Sequence, residues 1–222
     1  MAKPKYIVPH HSVSPRDASI TGTESSINKS HKERFKDPKT GVNNYKSSLG
    51  WYIGYHYIIF GTGEVRQYRK DDEVGVHCKE ENKNFDSIGI CMIGDFSTTL
   101  PGGPIRRNEY PSQAQLIAFT KLCKDLQAKY NIPDANIRPH RYYALGPNGK
   151  PYKDCYGNKL PDNPVELFVD DKDTEFEEAQ AWHMQHGLLK FPKDPTLVVT
   201  WRDELVMGHR RMLKAKEWFT KS

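Results

Sequence analysis

Apolar and polar positions divide the chain into short strands, one strong helix and long polar connections. "KYIVPHHS" (5–12) is a brief apolar run that turns polar at its end, which predicts a strand closing on His10 and His11. In "ESSINKSHKERF" (24–35), Ile27, His31 and Phe35 recur every four residues, as on one helical face. "KDPKTGVNNYKSS" (36–48) reads as loop from its Pro, Gly, Asn and Ser content. "YIGYHYIIF" (52–60) has the β-branched and aromatic make-up of a strand, with "GTGE" as a tight turn and "VRQYR" as the return strand. On such a strand Tyr55 and His56 would point to opposite faces. "DSIGICMIGDF" (86–96) is nearly continuous in apolar residues, as expected of a strand buried on both faces.

The clearest helix begins after Pro111. Ser112 and Gln115 match a capping box, and Leu116, Phe119, Leu122, Cys123 and Leu126 then form one apolar stripe. "NIRPH" predicts a short strand running into His140, and 141–164 reads as a long loop rich in Gly, Pro, Lys and Asn. Strands interleaved with helices point to an α/β protein with a single mixed central β-sheet flanked by helices. Composition shifts near residue 165, so 1–164 is expected as the main domain and 165–222 as a C-terminal helical extension. Its last segment carries six basic and three acidic residues, with Trp201, Leu205, Met212 and Phe219 on roughly one side. Such a segment either packs back on the domain or touches a membrane or cell wall.

Length and composition narrow this picture without choosing a function. The 222 residues suit one ordinary domain with an appendage, and a monomer is expected. Hydrophobic residues make up only 36% of the chain, but 25 aromatic ones supply bulk for a core. The net charge of +5 suits an anionic polymer surface such as nucleic acid, phospholipid or cell wall. Nucleic acid is the poorest of these, because no basic strip interleaved with aromatic residues is present. No apolar run resembles a secretion signal or a membrane span, which predicts a chain made in the cytoplasm.

Cysteines and histidines carry the candidate chemistry. Cys78, Cys91, Cys123 and Cys155 lie far apart without a CxxC spacing, which argues against a disulfide framework or a zinc ribbon. Cys91 falls on a predicted strand, Cys123 on a helix face and Cys78 at a strand or loop end. Cys155, in the polar stretch "KPYKDCYG", has no such packing role. Among nine histidines, His183, His186 and His209 belong to the tail helices, whereas His10 and His140 each end a predicted strand. Two neutral imidazoles and a thiolate would suit a hydrolytic zinc that keeps a fourth position for water, and His10, His140 and Cys155 offer that set. Composition alone does not single out this trio.

The motifs "VPHHS", "GWYIGYHYII", "NKNFDSIGICMIGDF", "RPHR" and "KDC" occur in this order over about two-thirds of the chain. In that order they resemble the zinc-dependent N-acetylmuramoyl-L-alanine amidases, which comprise amidase-type phage lysozymes and the peptidoglycan recognition proteins. The resemblance implies one Zn2+ ion held by His10, His140 and Cys155, with Tyr55 and Lys153 as catalytic residues. Lys153 and Cys155 are two apart, so an extended segment would turn both to one side. His31 becomes structural by the same likeness. Asn82 and His11 are expected at the substrate, although His11 also stands as a rival ligand to His10, since only one of the pair can face the ion. The implied reaction is hydrolysis of the amide between muramic acid and L-alanine of peptidoglycan, by a phage endolysin acting from the host cytoplasm once the membrane opens. The alternatives are a recognition module without catalysis, or a cytoplasmic amidase recycling soluble muropeptides. "YYALGPNGKPY" looks inserted between His140 and Cys155, which predicts an extended loop at the cleft rim.

Overall fold

The structure is a computed structural model that describes residues 3–98 and 109–169. The predicted tail helices, with His183, His186, His209 and the basic last segment, lie outside the described residues. Strands β1 (Tyr6–His11), β2 (Tyr57–Ile59), β3 (Val65–Gln67) and β4 (Ser87–Met92) form one mixed sheet in the order β1-β4-β2-β3. β4 runs parallel to both neighbours, and β3 closes the sheet as an antiparallel edge. The register sets His10 opposite Cys91, and Cys91 opposite Ile58.

Burial on both faces explains the unbroken apolar run of β4. Ile88, Ile90 and Met92 join Ile7 and Ile59 under helix α2 (Gln113–Tyr130), which contributes Phe119, Cys123 and Leu126. On the other face Cys91 joins Ile58, Phe60 and Ile93, against Ile20 and Ile27 of helix α1 (Ile20–Arg34). The capping box at Ser112 and Gln115 forms as expected. Gln115 is also wholly buried in place of the expected Leu116, because its amide donates to the carbonyls of Ile59 and Ile93 at 3.2 and 2.8 Å. It thereby ties the start of α2 to the ends of two strands.

Two predicted strands shrink, and both changes bear on the site. The run 52–60 is strand only at β2, because residues 53–56 follow the 74–77 loop instead: Val76 N–H donates to the Gly54 carbonyl at 2.9 Å. A Cβ on Gly54 would strike the Val76 backbone, so this close approach requires glycine. "NIRPH" makes only a one-residue bridge between Ile137 and Ile7, and His140 then opens a short helix, α3 (His140–Tyr143), after Pro139. Proline fixes an extended residue there and so ends the pairing. At the far boundary, Val165, Leu167 and Phe168 pack on the α2 core, with the Phe168 ring 5.9 Å from Phe119.

The helix at His31 and the sheet at His56 are joined by buried neutral rings. His31 Nδ1 accepts from Gly54 N–H at 3.0 Å, and His56 Nδ1 accepts from Gly89 N–H at 3.0 Å. Burial holds each ring near 4, below an ordinary 6.5. As pH falls through this window the unfolded chain takes up protons that the folded rings refuse. Stability is therefore complete above about pH 7 and declines towards pH 4, by up to about 3 kcal/mol for each ring. Urea denaturation of the metal-free protein should show its midpoint falling between about pH 6.5 and 4; a level midpoint over that range would mean solvated imidazoles.

Candidate metal centre

The end of β1 delivers His10 to the α1 face of the sheet, where its ring is 1% exposed. Cys155 Sγ lies 3.3 Å from His10 Nδ1, and the His140 ring centroid is 4.8 Å from that of His10. One ligand atom each from His10, His140 and Cys155 falls within 4.8 Å of the others, close enough to share one ion. Three distant segments thus converge here. Burial, with the neighbouring histidines, holds His10 well below its ordinary value, and burial likewise lowers His140, so both rings are neutral donors at pH 7. Burial pushes the Cys155 thiol up to about 12, so forming the thiolate at neutral pH calls for a cation beside it. Two neutral imidazoles and a thiol that needs a cation fit a divalent metal.

A second donor set, Cys78, Glu80 and His140, shares one histidine with the first. Glu80 is the hub of this side. Its carboxylate accepts from Lys153 Nζ at 2.6 Å, from Tyr152 O–H at 2.5 Å and from His140 Nε2 at 2.9 Å. Burial alone would raise the Glu80 carboxyl, but these hydrogen bonds hold it far below the carboxylate range. Because its oxygens are already engaged by three donors, Glu80 is a poorer ligand than Cys155. It instead sets Lys153 one carboxylate away from His140.

Tyr55 comes to the cluster although its segment is not a strand. Its ring lies 5.1 Å from His10 and 5.4 Å from His31, while His56 packs 5.7 Å from His77. Tyr55 and His56 thus border the same histidine cluster through different rings, and the strand expected to carry them begins only at Tyr57. Burial, together with Cys91 and Cys155, raises the Tyr55 phenol well above its usual range, so it remains an O–H donor. His11 is drawn elsewhere: its Nδ1 accepts from Phe96 N–H at 3.1 Å and its ring packs against Phe96. The donor set accordingly takes His10 of the pair and not His11. Asn82 is exposed, in a left-handed turn (φ 58°) just past Glu80.

Three residues at the site had no signature in the sequence: Glu80, Tyr152 and His77, whose Nδ1 lies 3.0 Å from His10 Nε2. Glu80 falls inside the polar stretch "CKEENKNFDS", which nothing in residue type or spacing marks as part of a metal site. A histidine beside a cysteine in "GVHCK" was the one available hint of His77.

Sheet and donor set together define a mixed-sheet α/β protein with a side-chain cluster that could hold a metal ion. The chain belongs to the N-acetylmuramoyl-L-alanine amidase family, whose profile matches residues 1–158. It is 34% identical over 104 residues to the endolysin of Escherichia phage T7, across 46% of this chain and 63% of that relative. The chain thus spans somewhat under two-thirds of that relative's length. Among solved structures it resembles an endolysin N-acetylmuramoyl-L-alanine amidase of Clostridium intestinale, with 25% identity, a TM-score of 0.52 and coverage of 76% of this chain and 86% of that one. It shares the fold of Drosophila PGRP-LB, with 22% identity, a TM-score of 0.51 and coverage of 77% and 87%.

The two donor sets are separable by mutation. Cys155→Ala should release bound metal on dialysis, whereas Cys78→Ala should keep near-full stoichiometry; elemental analysis of the two purified variants decides. The reverse pattern would move the ion to Cys78 and Glu80.

Proposed function

We propose that the protein hydrolyses the amide between N-acetylmuramic acid and L-alanine in peptidoglycan, using one zinc ion held by His10, His140 and Cys155. The observation that carries this reading is the convergence of those three donors within 4.8 Å, with Tyr55 and Lys153 at their edge. When bound, zinc supplies a Lewis acid for the scissile carbonyl and acidifies a water molecule.

The chain's own residues supply the rest. Hydrolysis places negative charge on the carbonyl oxygen, and donors held ready for that charge lower the barrier. Tyr55 offers a phenol that burial keeps protonated, and Lys153 offers an ammonium group that Glu80 holds beside His140. Pre-placement matters because a free lysine would spend rotamer entropy in reaching the same position. Asn82, exposed in the turn after Glu80, is our candidate for a contact along the substrate groove.

The likeness to phage endolysins supports a lytic role, with the enzyme made in the host cytoplasm and reaching the wall after the membrane opens. Among the described residues no helix is long and apolar enough to cross a membrane. The basic last segment, predicted from sequence, would add a contact with membrane or cell wall.

Product mapping by mass spectrometry on purified sacculi tests this reading. Zinc-loaded protein should release peptides with a free alanine amino terminus, and cleavage at any other bond would sink it. Tyr55→Phe should keep its zinc and lose ~10²-fold or more in rate, the usual effect of removing one oxyanion donor. A Tyr55→Phe enzyme at full speed would remove the phenol from the mechanism.

A further inference from the structure

The geometry points to His77 as the positioning residue that decides which nitrogen of His10 faces the ion. The inference rests on the reading of His10 as a metal ligand, but not on the substrate. His77 is buried in a slot that the backbone makes for it. A Cβ on Gly89, at the middle of β4, would sit 2.6 Å from the His77 ring, and one on Gly75 would also strike it. Backbone N–H groups of His77 and Cys78 both donate to Asn84 Oδ1 at 2.8 Å, which fixes the loop that carries the ring. The imidazole thus lies flat on the sheet beside His10.

A one-way series of hydrogen bonds runs through this ring. Ser87 Oγ has a single proton and donates it to the Lys83 carbonyl at 2.5 Å. Towards His77 Nε2, a long 3.5 Å away, the hydroxyl therefore offers only a lone pair. The matching tautomer of a neutral His77 carries its proton on Nε2 and a lone pair on Nδ1. His10 Nε2, 3.0 Å from that lone pair, must then be the donor. A neutral His10 with its proton on Nε2 keeps its own lone pair on Nδ1, and Nδ1 is the atom 3.3 Å from Cys155 Sγ. The opposite assignment would set the lone pairs of His77 Nε2 and Ser87 Oγ against each other. His77 thus plays for His10 the outer-shell part that a carboxylate or carbonyl usually plays for a metal-binding histidine.

Two measurements test this. In metal-free protein with 15N-labelled histidine, long-range 1H–15N correlation reads the tautomer of His10 directly, and the Nε2–H form is expected. A competition titration with a chelator then compares zinc affinities. His77→Leu should weaken binding on the order of 10–100-fold, with His10 turning into a mixture of tautomers. His77→Asn, whose amide oxygen can accept in place of Nδ1, should recover most of the affinity. An Nδ1–H His10 in the unmutated protein would overturn the proposal, even if amidase activity were intact. Equal loss of affinity in the Leu and Asn variants would overturn it too, by showing that His77 acts through packing alone. If the Leu variant does not fold, the tautomer of the unmutated protein and the affinity of the Asn variant still decide. A protein that binds zinc as described but leaves peptidoglycan uncut would refute the proposed function and leave this inference standing.

Discussion

Among the described residues six imidazoles lie buried in and around this sheet, and each must find a polar partner away from water or destabilise the fold. His31 takes the N–H of Gly54, His56 bridges Gly89 N–H and the Glu73 carbonyl, and His11 takes the N–H of Phe96. Those three rings add side-chain ties between pieces of backbone: the end of α1 to the 53–56 segment, that segment to β4, and β1 to the chain beyond β4. The other three, His10, His77 and His140, have partners that are side chains. The first group makes a frame, and the second is what the frame holds. Neutral rings suit both tasks, since a protonated ring would lose its acceptor nitrogen.

Charge at the centre is balanced in a way that leaves room for a cation. Glu80 is a buried carboxylate, tolerable because Lys153, Tyr152 and His140 all donate to it. Lys153 neutralises it, the two histidines are uncharged, and Cys155 holds its proton. A divalent ion that displaces the thiol proton would leave the donor set with a net charge near +1, which is the electrostatic setting for a Lewis acid that still polarises a carbonyl. Removing either Glu80 or Lys153 would leave its partner as an uncompensated charge beside the metal.

Much of the scaffold was legible because it depends on local rules. The capping box at Ser112 and Gln115, the turn after Phe60 and the two-faced strand at β4 all follow from residue type and spacing. Tyr55 was legible as a candidate only through resemblance, whereas His140 already stood out at a predicted strand end, and the elements assigned to both were wrong for an instructive reason. Each lies where the chain leaves the sheet to meet another loop: Gly54 presses on Val76, and Pro139 turns the chain into α3. A period-two pattern cannot register such departures. Glu80 and His77 were hidden more deeply, since their importance lies in contacts across 60 to 73 positions of sequence, and no spacing rule spans such a gap.

The long interval between His140 and Cys155 looks at first like a threat to a site that needs both within one coordination sphere. It is not, because the extra residues close on themselves. Leu145 and Pro151 bridge, Gly146 N–H meets the Lys150 carbonyl at 2.8 Å, and Tyr152 N–H meets the Ala144 carbonyl at 2.9 Å. A small hairpin therefore leaves and re-enters at neighbouring points, so its length adds only a slowly growing loop entropy and does not move the ends apart. Its base also serves the site, since Tyr152 leaves the hairpin to donate to Glu80. The insertion thereby supplies one of the three donors that hold the buried carboxylate, and through Glu80 it helps to fix Lys153 and His140. A segment that sequence spacing marks as a departure is, in the fold, part of the wall that keeps the centre in place.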